Sequence, residues 1–162
     1  MSHANSTTIG IEDDISSRKT IILCYHDVTG SKEKNVVEQI AKHLEEAKFP
    51  VERTATEVEK VLQYPSSTVV VIMCSHAIFN HNASYLETLT TRAEEAAAQH
   101  KNVIIFLVEK ILYKKKDIAA ALAKLPKNIS IIKDTPWDEN GINTIQAKAI
   151  ADKIGMLVRG QS

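Results

Sequence analysis

Two sets of polar residues in this chain are suited to chemistry. The first is the run from Ser75 to Glu87, which places His76, Asn80, His81, Asn82, Ser84 and a carboxylate directly after the apolar stretch "TVVVIMC". The second is Tyr25, His26 and Asp27, which follow the shorter apolar stretch "TIILC". Imidazoles exchange protons near neutral pH, and hydroxyls and amides orient polar ligands. A carboxylate stabilises positive charge as it develops. His26, Asp27, His76 and His81 are also metal-ligand types, but the chain has no CxxC or HExxH spacing. They read as hydrogen-bonded loop residues, with no metal site. Glu87 also has a plain structural reading. With Ser84 as N-cap it completes an S-x-x-E capping box at the start of a helix.

The elements that must position these residues follow from hydrophobic periodicity. Thr20–Tyr25, Thr68–Cys74, Asn102–Val108 and "NISIIK" are short, apolar, β-branched runs. They are patterned as strands buried on both faces. "PVERTA" is a further short strand. Between and after them lie amphipathic segments. Val36, Val37, Ile40, Ala41 and Leu44 recur at helical spacing. Thr56 caps a short helix through Val58, Val61 and Leu62, ended by Pro65. Helical patterns return over Ser84–His100, in "KKKDIAAALAKL" and over the last eighteen residues before Gln161.

Strand and helix therefore alternate five times. This predicts an α/β domain: a flavodoxin-like, five-stranded parallel sheet of order 2-1-3-4-5 with helices on both faces. The expected core includes Ile22, Leu23, Val70, Val71, Ile72, Ile104, Phe106, Ile129 and Ile131. In such a sheet ligands bind beyond the carboxyl ends of the strands, where strand order reverses. Both polar sets fall there, at the ends of the first and third strands. The domain is expected over 19–160, behind a polar, disordered lead of 1–18 with no apolar signal core.

Composition and motifs exclude several classes. Twenty basic residues balance twenty acidic ones, which argues against a general nucleic-acid or acidic-membrane binder. No apolar run approaches the length of a membrane span, so no membrane insertion is expected. Two thiols, Cys24 and Cys74, in apolar runs fit a reducing cytoplasm without a disulfide. The first turn, "HDVTGSKEKN", has one glycine and matches neither GxGxxG nor GxxxxGKS. It lacks a receiver's acidic pair and carries only Thr29 and Ser31 where a flavodoxin has a hydroxyl-rich phosphate loop.

The order and spacing of these motifs resemble the TIR (Toll/interleukin-1 receptor) domains and their SEFIR relatives, over about residues 19 to 158. "TIILCYHD" is similar to the opening box of that superfamily, with Cys24 where a serine is common and Tyr25 where the aromatic stands. Many TIR domains carry a serine ending the third strand, an aromatic three residues on, a Trp-Cys pair at eight and nine, and a glutamate at twelve. Counted from Ser75, position twelve is Glu87. The aromatic comes one place late, as Phe79, and Ala83 and Ser84 replace the Trp-Cys pair. The stretch from Ile104 to Glu139 resembles the family's fourth strand, charged connector, fifth strand and tryptophan box, with Trp137 after Pro136. The chain departs from the family between the second strand and the following helix. There "VERTATEVEK" passes almost directly where TIR domains have a long loop used in TIR–TIR contacts and in the NAD pocket.

The resemblance implies a cytoplasmic signalling domain acting through homotypic association, or association with other TIR or SEFIR proteins, in an innate-immune-type pathway without a cofactor. It also implies an alternative: a hydrolase with NAD as substrate, in which Glu87 supports cleavage of the nicotinamide–ribose bond. Tyr25, His26, Asp27, Ser75 and His76 would line the ligand cleft. Trp137 is either core against the last helix or a partner contact. The basic connector "KILYKKK" reads as solvated.

Overall fold

The computed structural model describes residues 19–28, 33–55, 58–133 and 144–160. The expected lead of 1–18, the capping role of Thr56 and the position of Trp137 lie outside them. Within them the chain forms β1 (Thr20–Tyr25), α1 (Glu33–Glu46), β2 (Val51–Ala55), a 3-10 helix (Val58–Gln63), β3 (Thr68–Cys74), α2 (His76–His81) and α3 (Tyr85–Ala98). There follow β4 (Asn102–Leu107), a second 3-10 helix (Lys110–Lys114), α4 (Lys116–Ala123), β5 (Ser130–Ile132) and α5 (Thr144–Gly160).

The five strands form one parallel sheet of order β2-β1-β3-β4-β5, as the alternating pattern predicts. The strand β3, apolar from Val69 to Cys74, occupies the centre, and all seven of its residues are buried. Its register sets Leu23 of β1 beside Val71, and Val71 beside Ile104 of β4. Alternate side chains then feed two cores. Ile21, Leu23, Val69, Val71, Met73, Ile104 and Phe106 pack under α1 and α5. Ile22, Cys24, Val70, Ile72, Cys74, Ile105 and Leu107 pack under the first 3-10 helix, α3 and α4. A strand covered on both faces has no solvent side, which is why its sequence shows no polar alternation.

Local differences from the sequence reading have simple causes. Val58–Gln63 is a 3-10 helix rather than an α-helix, and buries Val58 and Val61. Such a segment is only two tight turns long, and its apolar pair is already seated. The stretch expected as loop before Ser84 contains α2, which buries Ile78. Of the expected core, Ile131 is only partly buried, while its neighbour Ile132 is fully buried. β5 is an edge strand of three residues, so one of its faces is incompletely covered. α1 ends at a left-handed residue, Lys48 (φ 72°), with the Phe49 N–H returning to the Leu44 carbonyl. That turn swings Phe49 back into the core, where it is 4% exposed.

Candidate functional site

The C-terminal ends of β1 and β3 lie side by side, because the two strands pair directly. His26 leaves β1 there and Ser75 leaves β3. What joins them is Glu33, the first residue of α1, whose side chain is fully buried. Its Oε1 accepts the His26 backbone N–H at 2.7 Å and lies 2.9 Å from His26 Nδ1. Its Oε2 accepts the Ser75 N–H at 3.0 Å and the Ser75 O–H at 2.5 Å. Among the described residues each oxygen thus faces two donor-type groups at a helix N-terminus, where the dipole favours negative charge. The imidazole proton is therefore assigned to Nδ1. Nε2 is then free to accept the Tyr85 O–H, at 2.9 Å, and the rings meet edge to face at 4.9 Å. Cys74 Sγ lies 3.7 Å from the same phenol.

Burial fixes the protonation of the remaining members. It pushes the Cys24 thiol up to about 12. Burial, and then the nearby charge of Glu33, raise Cys74 further. Burial holds the Tyr85 phenol well above its usual range, with the Cys74 and Glu33 charges adding to it. Neither cysteine is a thiolate at neutral pH, so neither is a ready nucleophile. Tyr85 is a neutral O–H donor. The assembly is a closed chain of hydrogen bonds, Ser75–Glu33–His26–Tyr85–Cys74. It ties together β1, β3 and the first turns of α1 and α3.

The structure thus unites His26 and Ser75 but not the other expected residues. Tyr25, next along β1, turns to the opposite face and packs on the α1–α5 core. Asp27 is exposed. His76 is partly buried, and its backbone N–H donates to Glu109 Oε1 at 2.7 Å. Glu87 is exposed on the first turn of α3. The S-x-x-E capping box does not form. Ser84 makes no side-chain cap bond to the helix; its N–H and hydroxyl both donate to Asn82 Oδ1, at 3.1 and 2.9 Å.

Glu33, Tyr85 and Glu109 were not anticipated from sequence. Glu33 did leave a signal: it lies on the same helical stripe as Val36, Val37, Ile40 and Leu44, the face that α1 buries. A charge on that stripe needs a buried partner. Beside the network, α2, the start of α3 and the Lys115–Ile118 segment bound a groove of about 440 Å³, lined by His76, Phe79, Asn80 and Lys116 among others. Among the described residues no three His, Cys, Asp or Glu side chains converge to hold a metal ion. No helix among them is long and apolar enough to cross a membrane.

No protein-family model matches the chain, and no curated protein sequence does. Solved structures do. A lysine decarboxylase of Francisella novicida matches with a TM-score of 0.52 at 16% identity. The match covers 88% of this chain but only 17% of the decarboxylase. A short-chain flavodoxin associated with a PDU bacterial microcompartment matches with a TM-score of 0.52 at 14% identity, over 89% of this chain and 99% of the flavodoxin. At such identities the likeness is one of fold: the chain has a flavodoxin-like, doubly wound parallel sheet.

Proposed function

We propose that this chain is a TIR/SEFIR-type interaction module, acting in the cytoplasm by self-association or by pairing with similar domains in innate-immune-type signalling. The observation that supports this over catalysis is the closed Glu33 network. His26, Glu33, Ser75 and Tyr85 are engaged by one another, and Ser75, Glu33 and Tyr85 are 1%, 0% and 3% exposed. A general base must reach its substrate's proton, and His26 Nε2 is instead capped by a phenol. Glu87, the carboxylate that the family resemblance marks for NAD cleavage, stands in solvent on α3, outside the network.

Sedimentation velocity on dilute and concentrated samples tests the reading. A concentration-dependent shift is expected. A strict monomer that also fails to bind other TIR or SEFIR domains sinks it. The same concentrated sample, incubated with NAD, is expected to release no nicotinamide. Release that Glu87→Ala abolishes, with the melting temperature unchanged, would establish the hydrolase instead.

A further inference from the structure

The balanced charge of the whole chain hides an uneven distribution. Residues 110–133 contain seven lysines and one carboxylate, Asp117. Asp134, Asp138 and Glu139, which follow in sequence, lie outside the described residues. Beyond β4 the second 3-10 helix leads through Lys115 into α4. Two consecutive anchors hold this turn. Leu112 is fully buried, and its N–H donates to the Glu109 carbonyl. Tyr113 is partly buried: the Lys133 ammonium sits 4.3 Å over its ring and donates to its hydroxyl at 3.1 Å. With both anchors facing inward, Ile111 must face outward, and it is 52% exposed. Lys114 and Lys116 are exposed beside it and Lys115 is partly so. Among the described residues none of these three lysines enters an ion pair.

We propose that this turn, with Ile111 at its tip and Lys114, Lys115 and Lys116 around it, docks the protein on an anionic lipid bilayer. Its composition separates this partner from an acidic protein. Protein interfaces are depleted in lysine and centred on aromatic or arginine anchors. A single aliphatic side chain on a rigid turn, ringed by flexible lysines, suits the headgroup layer instead. The isobutyl-sized group enters the headgroup–acyl boundary, while the ammonium groups reach phosphate and carboxylate oxygens. The contact is peripheral, requires no spanning helix and does not depend on the homotypic reading.

Vesicle co-sedimentation of the whole chain tests it, comparing phosphatidylcholine vesicles with vesicles of about one-third phosphatidylserine. Binding to the anionic vesicles alone is expected, weakening as salt is raised. Replacing Lys114, Lys115 and Lys116 together by Gln should weaken it on the order of 100-fold, at about five-fold per lysine. Ile111→Asn should weaken it about ten-fold. Circular dichroism should be unchanged in both and the melting temperature nearly so, because the altered side chains are exposed or only partly buried and enter no ion pair among the described residues. No binding by the wild type, equal binding to neutral vesicles, or indifference to both substitutions overturns the proposal. Binding of soluble polyglutamate as tight as that of vesicles, and insensitive to Ile111→Asn, also overturns it and assigns the turn to an acidic protein.

Discussion

Two stretches of the same sheet edge are built on opposite terms. Where β1 and β3 end, His26 and Ser75 turn inward and bond the buried Glu33. Where β4 ends, Leu112 and Tyr113 are held while Ile111 and three lysines are presented to solvent. The first region engages His26, Ser75 and Tyr85 with one buried carboxylate and with each other. The second holds ordinary residues and leaves them available. Residue type therefore predicts function poorly without accessibility. A histidine and serine at a strand-reversal edge serve here to join four elements, because a buried carboxylate with one donor missing is costly.

The contrast can be broken first at Glu33. Glu33→Ala removes the carboxylate that His26 and Ser75 bond through four contacts among the described residues. It should destabilise the fold by about 3–5 kcal/mol in urea titration. A loss below about 1 kcal/mol would mean that the network does not tie the elements together. The second test is alkaline. Cys24 has a raised value in the fold, about 12 against an ordinary 9.0. Above pH 9 the unfolded chain therefore releases a proton that the folded chain keeps. Stability should fall with rising pH between 9 and 12, by about 1.4 kcal/mol per pH unit for this group. Cys74 and Tyr85, both raised, steepen the fall. Cys24→Ala should flatten the slope over that window, and an unchanged slope would remove the thiol from the account.

Third, Tyr85→Phe deletes the phenol that caps His26 Nε2 but keeps the ring against Phe79 and His26. It should cost about 1–2 kcal/mol, read in the same titration. A neutral result would show that water replaces the hydroxyl, and that the site is less closed than the burial of Tyr85 implies. The smallest effects are expected on the exposed side. Glu87→Ala forfeits only an interaction with the helix dipole, within about 0.5 kcal/mol. Asn82→Ala should cost more, about 1 kcal/mol, since Asn82 rather than Glu87 holds the Ser84 N–H. The reverse ranking in thermal melts would restore the capping box.

Much of the fold was legible in the sequence because the three inner strands, β1, β3 and β4, had to be apolar on both faces and each amphipathic helix on one. "TVVVIMC" could only be a central strand, and its seven residues are all buried. That alternation also located the edge where His26 and Ser75 stand, since chain order determines which strands are neighbours once crossovers are right-handed. It did not show that Tyr25 and His26 would part company, Tyr25 onto the α1–α5 core and His26 to Glu33 and Tyr85, although the period of two at the end of β1 carries that information.

Linear reading could not supply the partners. Glu33 and Ser75 are 42 positions apart, and no local pattern says that the carboxylate heading α1 will be drawn into the gap between two strand ends. It goes there because β1 and β3 are adjacent and because a buried charge is tolerated only among donors. The same holds on the other side of the edge. Ile111 and Leu112 are equivalent by hydropathy, and only the 3-10 turn after β4 decides that Leu112 fills the core and Ile111 meets solvent. Local periodicity selects the elements, since it needs only the chain's own repeat. Which side chains are closed off and which remain available depends on surfaces brought together from distant parts of the sequence, and that is settled when the layers pack.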